Sequence, residues 1–289
     1  MKVIAVIVTY NRLSMLRTSL NIAREVGFHK IIIVDNASTD GTGQWLETQV
    51  DELVTVKTMS SNTGGTGGFS AGLASLTLYS DWTHVCLFDD DAWPPLDWLE
   101  KLADQPQADV YCSNVLTPEG QQCRMNLPYS VLPDTLFRTV EYLLCPKRYL
   151  PTDQTTQVMS VSFVGVCVGR EWVQELQKLL IPELFIYLDD VSAGVGLYRQ
   201  GARMLWCPEL IFYHDVSSRR KLTPEKRYYL TRNLLWLPSM PAGRIWTSTV
   251  TFLRCSNLFM GALFSEQVWL SLKYWWIAMR AGNECPKKS

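Results

Sequence analysis

The sequence contains no Cys-x-x-Cys pair, although it carries 8 cysteines in 289 residues. That argues against a zinc ribbon or a thioredoxin-type redox centre. The cysteines stand inside apolar stretches such as His84–Phe88 and Phe163–Val168, which suits free thiols in a reducing cytoplasm. Excess charge is lacking too. Lys and Arg number 27 against 28 Asp and Glu, a formal charge of −1, so no nucleic-acid partner read through a broad basic face is expected. No Gly-Lys-Ser/Thr follows the one glycine-rich stretch, which argues against a Walker A phosphate loop. Arg254, Glu266 and Lys273 interrupt the apolar segment Ile245–Ala281, so no uncharged run in it reaches the length of a membrane span. No cleavage-like site follows the short apolar run at Met1–Val8, so a signal peptide is not expected and the expected location is cytoplasmic. Hydrophobic residues at 47% and charged residues at 19% are ordinary globular proportions for one large domain or a domain with an appendage.

The first third alternates in period. β-branched runs at Val3–Val8, Lys30–Val34 and Val54–Met59, with a fourth apolar run at Thr83–Phe88, predict strands. Between them, helices are expected at Leu13–Val26, Gln44–Leu53 and Phe69–Tyr79. Continuous apolar strands separated by helices indicate a largely parallel sheet covered on both faces, with ligands at the carboxyl ends of the strands. Further on, strands are expected at Ala108–Val115, Val158–Val168, Ala202–Trp206 and Leu210–Tyr213. Helices are expected over Arg170–Leu180 and from Asp190 to about Gln200, and a long loop with a short helix over Leu127–Thr156. Ile245–Ala281 is rich in Trp, Phe, Leu and Met. Two readings stay open for it: core or oligomer-interface helices, or an amphipathic element on a bilayer, with Trp269, Trp275 and Trp276 at the interface and Lys273 and Arg280 near phosphates.

Chemistry concentrates at strand ends. Asp89-Asp90-Asp91 repel one another unless a cation or hydrogen-bond donors compensate. Hard divalent cations take carboxylate oxygens together with phosphate oxygens, so an Asp-x-Asp here is a candidate metal–diphosphate site. Strand alternation would turn Asp89 and Asp91 to the ligand and Asp90 away. The alternative is a solvated acidic loop. In Asn62-Thr63-Gly64-Gly65-Thr66-Gly67-Gly68-Phe69, glycines permit close backbone approach, and the following helix offers N–H groups to an anion or sugar hydroxyls. The alternative is a flexible strand–helix connection. Asp189 and Asp190 precede a helix, where a carboxylate could act as general base or simply cap the helix. His214 ends an apolar strand and could complete a metal shell or be structural. Arg227, Tyr229 and Arg232 lie on a helix, as a phosphate-holding face or a solvated one.

In order and spacing, Val8–Arg12, Val34–Gly41 and Asp89–Asp91 resemble family 2 glycosyltransferases with the GT-A fold, over about residues 1–236. Within the family, the Gly-Gly-Thr-Gly-Gly-Phe stretch followed by a triple Asp is most similar to bacterial galactofuranosyltransferases, with rhamnosyltransferases close behind. The resemblance implies an α/β catalytic domain at 1–236, built on a mixed, mostly parallel sheet flanked by helices. A C-terminal helical segment would follow at 237–289. It implies that Thr9, Tyr10, Arg12, Asp35 and Asn36 border the nucleotide, joined by Asn62, Gly65, Gly67, Gly68, Asp89 and Asp90. Asp89 and Asp91 with His214 would hold Mn²⁺ or Mg²⁺, and Asp190 would be the base, with Asp189 the second choice. The implied reaction is metal-dependent, inverting transfer of a sugar, galactofuranose from UDP-galactofuranose, to a glycan or lipid-linked glycan acceptor. The setting would be cell-surface polysaccharide synthesis (O-antigen) at the cytoplasmic face of the inner membrane. dTDP-rhamnose is the alternative donor. Where some polymerising galactofuranosyltransferases carry Trp-Trp before the base, this chain has Phe163-Val164-Gly165-Val166. Two other classes compete: a sugar nucleotidyltransferase, which would carry its glycines directly after the first strand, and a non-catalytic membrane-docking subunit.

Overall fold

The computed structural model describes residues 1–216, 222–282 and 284–285. Positions 217–221, 283 and 286–289, which fall within the two expected units, lie outside the described residues. The order is β1 (Val3–Thr9), α1 (Leu13–Val26), β2 (Lys30–Asp35), α2 (Thr42–Glu47), β3 (Val54–Thr58), α3 (Gly64–Ser75), β4 (His84–Asp89), β5 (Ala92–Trp93), α4 (Trp98–Ala103) and β6 (Val110–Leu116). Then come α5 (Leu136–Leu144), β7 (Thr156–Gln157), β8 (Val166–Gly169), α6 (Val173–Leu179), α7 (Asp189–Arg199), β9 (Met204–His214), α8 (Pro224–Trp236), α9 (Ser248–Leu263) and α10 (Val268–Ala281).

One nine-stranded sheet runs β3-β2-β1-β4-β8-β6-β9-β5, with β7 beside β9. β3, β2, β1 and β4 are parallel, and β6 and β9 are parallel to each other. β8 is antiparallel to both β4 and β6, which makes the sheet mixed. Both faces of β1 are buried, as its unbroken apolar run requires. Ile4, Val6 and Val8 join the core beneath α3, α6 and α7, while Val3, Ala5 and Ile7 join the one beneath α1 and α4.

Four expectations need adjustment. The glycine-rich stretch is the first turns of α3 itself, so that helix begins at Gly64 rather than Phe69. A Cβ on Gly68 would stand 2.5 Å from Val8 Cγ1, and one on Gly72 would stand 2.3 Å from Val6 Cγ1. Glycine here lets the helix lie on the sheet. α2 stops at Glu47, and the Asp51 side chain then accepts from Leu53 and Val54 N–H to start β3. Of Val158–Val168, only Val166–Val168 enters β8, because Gly165 at φ +74° bends the chain against Phe212. The two short strands near the C-terminal end of the sheet are one strand, β9, with a register shift after Cys207.

α8, α9 and α10 pack on one another. Leu234, Ile245, Trp246, Val250 and Cys255 share a core with Leu132 and with Val195 of α7. No helix among the described residues is long and apolar enough to cross a membrane.

Candidate active site

The parallel strands deliver their last residues to one cleft of about 570 Å³. Thr9, Tyr10, Arg12, Asn36, Asn62, Gly65, the three aspartates 89–91, Asp189, Asp190 and His214 all line it. Asp35, Gly67 and Gly68 do not. Asp35 is buried behind the strand end, where Oδ1 accepts from Ser38 N–H at 3.0 Å. Gly67 and Gly68 are buried, and a Cβ on either would run into Thr63 or Val8.

The aspartate cluster is set by backbone pairing. β4 ends at Asp89, beside Val8. The Asp90 N–H then bonds to Val8 O at 3.1 Å, and the Asp215 N–H to Asp91 O at 2.8 Å. Ala92 pairs with His214 across β5 and β9, which brings His214 to the aspartates. Asp90 turns aside, accepting from Thr9 Oγ1 at 2.7 Å and from Arg12 at 3.2 Å. Arg12 also pairs with Asp91. Thr9 and Arg12 thus act first on the carboxylates. Asn36 acts on the start of α3: its Nδ2 donates to Gly64 O at 2.7 Å, and its Oδ1 accepts from Thr63.

Asp89, Asp91 and His214 offer ligand atoms that all lie within 4.8 Å of one another. Asp91 Oδ1 is buried, 3.2 Å from His214 Nε2, and has no well-aligned hydrogen-bond partner. Asn126, which belongs to no motif, accepts at Oδ1 from His214 Nδ1 at 3.0 Å, while its Nδ2 donates to Ser162 Oγ at 2.8 Å. With Nδ1–H held by Asn126, Nε2 is the atom that faces the carboxylates. Burial opposes a charge on the ring, but Asp91 outweighs it and raises His214 to about 9, so the ring carries an Nε2 proton whose place a divalent cation would take. Two carboxylates and one imidazole suit Mn²⁺ or Mg²⁺, with positions left for phosphate oxygens.

The charges show strain in the same place. Burial, and then Asp91, push Asp89 up to about 7, and burial pushes Asp90 up to about 6. Burial also opposes ionisation of Asp91, but His214 and Arg12 outweigh it and hold Asp91 below the usual carboxylate range. Asp89 is therefore short of a counter-charge, which a divalent cation would supply.

Across the cleft lining, Asp189 is buried and accepts from Thr66 Oγ1 at 2.8 Å. Asp190 is less buried and takes a backbone bond from Val191 at 2.7 Å. Burial, reinforced by Asp189, lifts Asp190 to about 8. The loop before them is held in unusual backbone: Phe185, Tyr187 and Leu188 have φ of 65°, 70° and 64°. Asn233, fully buried on α8, reaches this loop with Nδ2 at 2.9–3.0 Å from the carbonyls of Leu184, Ile186 and Tyr187. Arg232 donates to Glu183 O and Leu184 O and stacks over Trp236 at 4.0 Å. Arg227 donates to Leu258 O and Gly261 O of α9. Arg227 and Arg232 are buried, so neither a phosphate-holding face nor a solvated one describes them.

The family model for glycosyl transferase family 2 matches residues 4–165. The chain belongs to glycosyl transferase family 2. It is a glycosyltransferase with the mixed α/β sheet of the GT-A fold. Many solved structures are similar in fold, among them the following three. S. aureus TarS (residues 1–349) is 15% identical with a TM-score of 0.54, over 96% of this chain and 71% of that one. GalNAc-T7, solved with UDP, GalNAc and Mn²⁺, is 13% identical with a TM-score of 0.56, over 89% of this chain and 54% of that one. The mannosyltransferase PcManGT from Pyrobaculum calidifontis, solved with GDP-Man and Mn²⁺, is 16% identical with a TM-score of 0.51, over 99% of this chain and 76% of that one. A search of curated proteins finds no match.

Proposed function

We propose that this family 2 glycosyltransferase is metal-dependent and inverting, and that it moves galactofuranose from UDP-galactofuranose to a hydroxyl of a glycan or lipid-linked glycan. The acceptor belongs to bacterial cell-surface polysaccharide synthesis at the cytoplasmic face of the inner membrane. The observation that carries the reading is a single cleft containing both a cation-ready Asp89–Asp91–His214 cluster and a carboxylate, Asp190, with raised proton affinity. Two of the structurally similar proteins were solved with a nucleotide or nucleotide sugar and Mn²⁺, which supports the same donor chemistry here.

Asp89, Asp91 and His214 would hold Mn²⁺ or Mg²⁺, with Arg12 fixing the carboxylates. When bound, the cation neutralises the charge that develops on the diphosphate leaving group. Ionised Asp190 takes the proton of the acceptor hydroxyl as its oxygen bonds to the anomeric carbon. The bond from that carbon to the diphosphate breaks, and the nucleoside diphosphate leaves with the electron pair. In-line attack inverts the anomeric centre. Asp189, already engaged by Thr66, is the lesser choice of base.

The donor sugar rests on the resemblance of residues 64–69 and 89–91 to galactofuranosyltransferases, and dTDP-rhamnose is the second reading. The segment 237–289 would keep the enzyme close to a lipid-linked acceptor through its exposed aromatic residues. A donor screen with Mn²⁺, comparing UDP-galactofuranose, UDP-galactopyranose and dTDP-rhamnose by nucleotide release, tests the reading. Turnover confined to UDP-galactofuranose supports it. Turnover confined to dTDP-rhamnose replaces the donor. Undiminished turnover in Asp91→Ala or Asp190→Ala would remove the assigned chemistry.

A further inference from the structure

α5 is built inside out. Its large apolar residues, Leu136, Phe137, Val140, Leu143 and Leu144, recur at the spacing of one helical face. A surface helix ordinarily turns such a face to the core. Here it points to solvent: Phe137 is 78% exposed, Leu143 73% and Leu144 76%. The side packed on the protein is the polar one. Thr139 donates to Pro133 O, Glu141 accepts from Tyr149 and Arg148, and Tyr142 meets Tyr129 and Tyr149 edge-on.

α5 touches α9, which exposes Phe252, Leu253, Met260 and Leu263, and α9 packs against α10. On α10, Trp269, at 87% exposure, and Trp276 share the solvent face with Lys273 and Arg280, and Arg280 stacks over Trp276 at 5.2 Å. Trp275 instead turns inward, its Nε1 donating to Cys255 O at 3.1 Å, so it does not join the exposed set. Segments 136–149 and 245–281 together carry six basic and two acidic residues, in a chain whose totals are 27 and 28. Glu141 pairs with Arg148, Arg138 with Asp134, and Arg254 stacks on Trp246, so the exposed cations of this face outside those contacts are Lys147, Lys273 and Arg280.

We propose that the exposed faces of α5, α9 and α10 form a docking surface for an anionic phospholipid bilayer, with α5 as an apolar wedge outside the C-terminal segment. The proposal rests on the membrane contact suggested for residues 237–289 and adds α5 and the lipid charge to it. A second copy of the chain is the poorer occupant. A self-complementary interface would bring like-charged Lys273 and Arg280 sets together with few acids to meet them. Lipid phosphates answer the cations, while Trp, Phe and Leu side chains enter the headgroup boundary.

The full chain is sedimented with vesicles of phosphatidylcholine alone and with about 30% phosphatidylglycerol added, since anionic lipid strengthens binding of basic surfaces. Binding to the anionic vesicles is expected. Phe137→Ser with Leu144→Ser should lower the partition constant by at least about tenfold, because apolar burial sets interfacial affinity. Lys273→Glu with Arg280→Glu should erase the preference for anionic lipid. Unchanged melting curves establish that the variants are folded. If the Phe137/Leu144 variant bound like wild type while Trp269→Ser with Trp276→Ser lost binding, the role of α5 would be overturned and the C-terminal contact would stand. Absence of wild-type binding would overturn both. A dimer in ultracentrifugation that the α5 substitutions dissociate would make the face a copy–copy interface instead.

Discussion

Asp190 sits under opposed demands. As a base it must be ionised, yet burial and Asp189 raise it from the ordinary 3.8 to about 8. Between those values the folded chain keeps a proton that the unfolded chain has lost. Its contribution to stability is therefore complete below about pH 4 and drains away as pH rises through 8. Catalysis runs the other way: kcat/KM should climb with pH and level off above about 8. Asp190→Asn should cut transfer by at least about 10³-fold and raise Tm at pH 8 by about 2–4 °C, with little change in acid. Nucleotide release and melting curves across pH 5–9 read both effects, and a flat activity profile would withdraw the base role. Asn126 makes a different demand. Asn126→Leu should weaken Mn²⁺ binding by about 10–100-fold, because the His214 ring loses the partner that sets its tautomer. Calorimetric titration with Mn²⁺ reads this directly, and an unchanged titration would leave Asn126 without an orienting role. The aspartates were legible in the sequence because three adjacent carboxylates need an explanation. Asn126 was not, because it stands in a stretch without periodicity and its partner is 88 residues away.

Elements differ in how openly the sequence declares them. β1 to β4 are short unbroken runs of β-branched and apolar residues, and nothing local competes with that signal. The start of α3 was hidden because four of its first five residues are glycine, a poor helix former whose value here lies in letting the helix touch Val6 and Val8. The loop before α7 was hidden for another reason. Phe185, Tyr187 and Leu188 give no hint of left-handed backbone, which is imposed from α8 by Asn233 and Arg232. Each such residue costs about 1–3 kcal/mol unless its surroundings hold it. Asn233→Ala should release that loop. The expectation is a fall in kcat larger than any change in KM for the donor, with a loss of stability of about 2–4 kcal/mol. Urea unfolding and steady-state kinetics separate the two. A variant with normal kcat would show that Asp190 keeps its place without the clamp.

At the scale of the whole molecule, the expected boundary at 236 does not coincide with an edge of the core. Leu234 and Val195 lie in one cluster with Ile245, Trp246 and Val250, and the buried Arg227 of α8 donates to the Leu258 and Gly261 carbonyls of α9. A chain cut after residue 236 should melt at least about 10 °C below the full chain or fail to stay in solution, because it uncovers that cluster and strands a buried cation. Scanning calorimetry of the two lengths decides it. Matching Tm values would mean two independent units.

The register shift in β9 decides which of its last two side chains faces inward. Residues 208–210 are extra relative to β6, whose Ser113 and Asn114 pair with Cys207 and Ile211. Three is an odd number, and side chains alternate in twos, so this insertion turns His214 rather than Tyr213 inward. A one-codon deletion in that stretch would swap inner and outer rows at a stroke.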